Sequence, residues 1–167
     1  MNISSRAPRR FALLRHVFLA CALLAAHDIV LAQVTITEVT TPTLGVMLSG
    51  ASGRNFILNT DDTVSGTDAA DYMSGADSGR LNVSNAGGNQ DATIVADNFS
   101  TTGGVTINAV PCRWRNNTPQ TCDGAGITKR LRAAARPLWL GVDVDTTQAH
   151  IGSDAATASY DITVTLI

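Results

Sequence analysis

The last eleven residues, Thr157 to Ile167, constrain the fold most, because Ala158, Tyr160, Ile162, Val164 and Leu166 alternate strictly with Ser159, Asp161, Thr163 and Thr165. A period of two puts every second side chain on one face of an extended chain, so the segment reads as a half-buried β-strand. Pro137 to Asp145 repeats the pattern, with Leu138, Leu140, Val142 and Val144 on one face and Trp139, Gly141, Asp143 and Asp145 on the other. The two segments are expected to be neighbouring strands over one core.

Shorter runs of the same kind precede them. Val34 to Thr37 alternates until Glu38 falls at an inward position, which predicts a short or edge strand ended by Pro42, since proline cannot donate to a ladder. Leu44, Val46 and Leu48 form a second set and Phe56 to Leu58 a third. Asn59 to Gly79 is rich in Asp, Gly, Ser and Thr and reads as a long connection touching the core at Tyr72 and Met73. Leu81 to Val83 and Ala92 to Ala96 flank Asn85-Ala-Gly-Gly-Asn89 and read as a hairpin. Val105 to Ala109 makes another strand, stopped or placed at an edge by Pro111, and Cys112 to Gly126 reads as a polar insertion. Ile127 to Arg136 has the only helical composition and suits one or two helical turns or a basic strand end equally.

The amino terminus has a separate character. Arg6, Arg9, Arg10 and Arg15 precede the apolar run Val17 to Ala26, and Val30-Leu-Ala32 supplies small residues before Gln33, the three regions of a secretory signal peptide. The run is too short for a spanning helix, which needs about 20 apolar residues. Lipid attachment at Cys21 fits poorly because half of the apolar run follows that cysteine. The expected division is a signal peptide over residues 1–32 and a single domain over 33–167, exported to the periplasm, the cell surface or the medium, with no membrane contact after cleavage.

Of the 12 Lys+Arg and 14 Asp+Glu, four arginines and Asp28 leave with the leader, so residues 33–167 carry a formal charge of −5. That sign argues against a nucleic-acid partner. Glu38 is the only glutamate and Lys129 the only lysine beyond the leader, and scarcity of these helix formers beside abundant threonine favours strands and turns. Cys112 and Cys122 are the remaining cysteines, and two in an exported chain are expected to pair. So short a loop should contribute about 2.5 to 3 kcal/mol by chain entropy, as a local staple beside a core that stands without it. About eight short strands with turn signals between them predict an all-β protein, an antiparallel two-sheet immunoglobulin-like sandwich of seven or eight strands.

The closing strands and the glycine-rich centre resemble a bacterial exported family, domain of unknown function 4402, loosely over Leu44 to Ile167. Leu138-Trp-Leu-Gly-Val-Asp-Val144 is similar to the family's L-x-V-G-A-x-L-x-V strand, and Tyr160-Asp-Ile-Thr-Val-Thr-Leu166 to its closing G-x-Y-x-G-x-F-x-V-x-V. The family's glycines are missing near Ala158 and Ile162, and the cysteine-bearing stretch is extra. The resemblance implies a β-sandwich related in appearance to fimbrial subunits and an exported location, with no catalytic residues.

Candidate chemistry is sparse. His150 is the one histidine beyond the leader, which leaves a zinc site short of ligands and a triad short of a base. Asp143 and Asp145, with the loop acids Asp61, Asp62, Asp68, Asp71 and Asp77, are candidates for paired carboxylates or calcium, although no Asp-x-Asp-x-Asp-Gly ladder is present. Lys129, Arg130, Arg132 and Arg136 form a basic cluster suited to an anionic glycan. Trp139 can stack on a sugar ring or cover the outer sheet face, and Trp114 is expected to cover the disulfide loop. The reading is a non-catalytic structural or surface protein without a cofactor, a fimbria-like subunit in its sharpest form. The alternative is a carbohydrate- or calcium-binding module. Self-association, or contact with other surface subunits, is expected through Val34 to Val39, because a strand edge exposes unpaired N–H and C=O groups.

Overall fold

The computed structural model describes residues 33–47, 52–147 and 156–167; the leader, Leu48 and His150 lie outside them. In chain order the strands are β1 (Val34–Thr40), β2 (Val46–Met47), β3 (Asn55–Leu58), β4 (Val64–Ser65), β5 (Tyr72–Ser74), β6 (Gly79–Asn85), β7 (Gln90–Thr102), β8 (Val105–Ala109), β9 (Pro111–Trp114), β10 (Gln120–Thr121), β11 (Ile127–Leu131), β12 (Arg136–Leu140), β13 (Val142–Thr146) and β14 (Thr157–Leu166). A single 3-10 turn, Ala69–Asp71, is the only helical piece among the described residues. No helix there is long and apolar enough to cross a membrane.

The fold is all-β and antiparallel. A five-stranded sheet runs β1-β6-β12-β9-β10, a three-stranded sheet β11-β7-β14, a four-stranded sheet β4-β3-β13-β8, and β2 and β5 form a ribbon. The main core lies between the five- and three-stranded sheets: Val83, Leu138, Leu140, Cys112 and Trp114 from the first meet Ala92, Ile94, Ala96, Ile127 and Leu131 from the second. Phe56, Leu58, Val142 and Val144 make a smaller cluster under the four-stranded sheet. Ile107 and Tyr160 pack against both clusters and join them. Burying side chains of this size contributes about 1.5–3 kcal/mol each relative to exposure, so the core is the main source of stability.

Pro137 to Asp145 is not one strand beside the last one. It divides at Gly141 into β12 and β13, which belong to different sheets, while β14 pairs with β7. The division has a steric cause, because β3 passes so close that a Cβ at Gly141 would collide with the Leu58 carbonyl oxygen. The Gly141 N–H donates to the Pro111 carbonyl and the Tyr160 hydroxyl donates to the Gly141 carbonyl, at 2.7 and 3.0 Å, so both backbone groups at the corner are satisfied. Alternation survives the corner, since Leu138, Leu140, Val142 and Val144 are all buried.

Three further expectations are corrected. Leu81 to Ala96 is no hairpin, because the tight turn closed by Gly88 N–H to Asn85 carbonyl carries the chain from one sheet to the facing one. Cys112 to Gly126 is no insertion, because it supplies β9, which pairs directly with β12. Met73 is 58% exposed and does not reach the core, whereas Val64 and Ala76 do. Of the two alternatives left open for Ile127 to Arg136, the structure takes the strand, with Ile127 and Leu131 buried against β7.

The Cys112–Cys122 disulfide is present, and both residues are wholly buried within the main core. Cys122 accepts the Ala96 N–H of β7 at 2.8 Å and donates to the Val110 carbonyl at 2.9 Å. The staple is therefore built into the packing between facing sheets rather than set beside it.

Candidate functional site

Asp143 and Asp145 stand on the face of β13 opposite Val144, as the alternation requires. Asn55, opposite Asp145 on β3, donates from its one Nδ2 to both carboxylates, at 2.7 Å to Asp143 and 2.8 Å to Asp145. Asn108 on β8 adds a longer bond to Asp143 at 3.3 Å. The amide thus stands between two like charges that would otherwise repel along the strand. The Asn55 N–H in turn donates to Asp68, and that bond together with the Thr67 hydroxyl holds the Asp68 carboxyl below the usual carboxylate range.

The loop acids serve the backbone in the same way. Asp61 accepts from the Thr63 hydroxyl and Asp62 from Ser78, and these bonds lower the pKa of each. Arg54 pairs with Asp71. Among the described residues no three or more His, Cys, Asp or Glu side chains converge into a metal-holding group.

The basic cluster of the sequence is divided by strand geometry. Lys129 and Arg130 are consecutive on β11 and so point to opposite faces; Lys129 donates to Gln120 at 2.7 Å, while Arg130 stands 3.8 Å from Asp91. Arg132 is exposed beyond the end of β11. These three cations do not form one patch.

A different cationic group forms around Trp139. In the five-stranded sheet Trp139 is paired across β12 with Arg80 of β6 on one side and Arg113 of β9 on the other. Both guanidinium groups lie over its indole, 5.0 Å and 5.6 Å from the ring centroid. All three side chains are half-buried on the outer face, as expected for Trp139 from the alternation. The arginines approach from flanking strands, so they occupy the ring faces that a sugar would need. Cation–π contacts of this kind are worth about 0.5–2 kcal/mol according to how far they are desolvated. Arg113 also donates to the Thr60 carbonyl at 2.8 Å, with Asp61 and Asp62 near enough to feel its charge. The Nε atoms of Arg80 and Arg113 are shielded from solvent and have no hydrogen-bond partner.

Arg80, Arg113, Asn55 and Asn108 were not distinguishable from the sequence. They lie 26 to 90 positions from Trp139, Asp143 and Asp145, and only strand pairing brings them to these residues. Trp114 is buried in the main core, which also holds both cysteines.

No protein-family model, curated protein or solved structure matches the chain.

Proposed function

We propose that this chain is an exported, non-catalytic structural or surface protein that associates with copies of itself, or with other surface subunits, through β1. In this reading its sheets form an immunoglobulin-like sandwich similar to the family of domain of unknown function 4402. The observation that carries the proposal is the state of β1. It is an edge strand of seven residues paired only with β6, and its side chains are largely uncovered, with Ile36 40% and Val39 47% exposed. The ladder breaks register between Glu38 and Thr40, which weakens its far end. Val34 alone among its apolar side chains packs against the main core. A strand held mainly by backbone bonds can exchange them for equivalent bonds to a neighbour at small net cost, and its exposed apolar groups then gain a cover. β14, ten residues long at the edge of its own sheet, offers the longest accepting edge among the described strands.

Sedimentation velocity on residues 33–167 over a concentration series tests this, beside a chain lacking residues 33–40 and the single change Ile36→Asp. Concentration-dependent association of the parent, with both variants folded by circular dichroism and monomeric, is the expected result. A parent that stays monomeric at every concentration, or variants that associate as the parent does, would contradict it. Ile36→Asp carries most weight, because its side chain is exposed and its replacement has little reason to unfold the protein.

A further inference from the structure

The outer face of the five-stranded sheet is polar and carries two half-buried arginines, with the loop acids Asp61 and Asp62 near Arg113 at its margin. None of the outward positions on β1, β6, β12, β9 and β10 is occupied by Asp or Glu, although residues 33–167 carry a formal charge of −5. Its centre is the row Arg80–Trp139–Arg113. Neither arginine has a carboxylate within ion-pairing distance among the described residues, where the two ion pairs are Arg54–Asp71 and Arg130–Asp91. Beside the row, Thr37, Asn82 and Ser84 present hydroxyl and amide groups on the same face.

We propose that this face binds an acidic polysaccharide, with the guanidinium groups of Arg80 and Arg113 taking its carboxylates and the flanking hydroxyl and amide groups its ring hydroxyls. Trp139 is a positioning residue. Its ring lies between two arginines whose strands are about 10 Å apart at the usual spacing, and both guanidinium groups lie over it. The Nε atoms of both arginines are shielded and unpartnered, and one terminal nitrogen of Arg113 is taken by the Thr60 carbonyl, so the remaining terminal N–H groups are the donors an anion can satisfy. A sheet face with donors at two separated points suits an extended chain of repeating charge better than a single small ion. Trp139 contributes by stacking the arginines, so the sugar contact is polar rather than aromatic. This site is separate from the association surface on β1, although Thr37 borders both.

Titration of the 33–167 chain with an oligogalacturonate, followed by isothermal calorimetry, tests the proposal beside a neutral dextran of equal length and inorganic sulfate. Saturable binding that weakens as salt rises, absent with dextran and much weaker with sulfate, is expected. Arg80→Gln and Arg113→Gln should each reduce affinity about ten- to a hundredfold, the range for one charge-assisted hydrogen bond. Trp139→Leu should weaken binding with both arginines retained. Asn82→Asp adds a negative charge to the face without touching the stack, and it should weaken the same binding even if the arginine variants unfold. Absence of saturable binding, equal binding of dextran, sulfate binding as tight as the oligosaccharide, or unchanged affinity in folded variants would each overturn the proposal.

Discussion

Tyr160 shows how one residue ties the closing strand to the rest. Its ring packs against both apolar clusters and lies edge-on to Phe99, 6.5 Å between centroids. Burial pushes the ionisation of its phenol far above the ordinary tyrosine range, so the hydroxyl stays a neutral donor to the Gly141 carbonyl. Tyr160→Phe keeps the packing and removes that donor, and a loss of about 1–2 kcal/mol is expected in urea unfolding with an unchanged slope. No measurable loss would mean that solvent replaces the hydroxyl at the corner. At this scale the sequence was partly legible. The outward setting of Trp139 and the pairing of the cysteines were read from alternation and from the leader-like amino terminus, both local or compositional signals. Arg80 and Arg113 were invisible because an arginine in a polar stretch carries no mark of the strand it will sit beside.

At the scale of the strand, alternation reports which side chains face inward and nothing about the partner strand. The buried set from Leu138 to Val144 was read correctly along its length, yet the corner at Gly141 sends its two halves to different sheets. The glycine itself was visible; the approach of the Leu58 carbonyl that demands it was not. Gly141→Ala should therefore cost about 1–3 kcal/mol of stability in urea unfolding, because a methyl group there must push β3 aside. An alanine variant as stable as the parent would show that the close approach relaxes freely. The turn at Asn85 to Gly88 was likewise legible as a turn, whereas its arms separate because Val83 and Ile94 enter the core from opposite sides. Ile127 to Leu131 becomes a strand for a related reason: Ile127 and Leu131, four residues apart, are both buried when that segment pairs with β7.

Across the whole molecule, apolar burial is concentrated where the five-stranded sheet faces the three-stranded one, and it thins towards β1. The all-β class was legible because threonine-rich alternating runs recur along the chain, but the distribution of those runs among sheets depends on contacts between distant residues. The disulfide, wholly buried, reinforces the centre rather than the margin. Stability is therefore expected to be uneven, with β6, β12 and β7 opening only when the molecule unfolds and β1 opening by itself. That separability underlies the proposed association, since a strand that cannot leave its own sheet cannot be shared. Native-state hydrogen exchange on the monomeric Ile36→Asp chain measures it directly. The β1 amides bonded to β6 should exchange at least about tenfold faster than the core amides of β12 and β7, with a weak dependence on denaturant. Exchange of β1 at the same rate and with the same denaturant dependence as the core strands would show that it is integral to the fold, and would contradict the account.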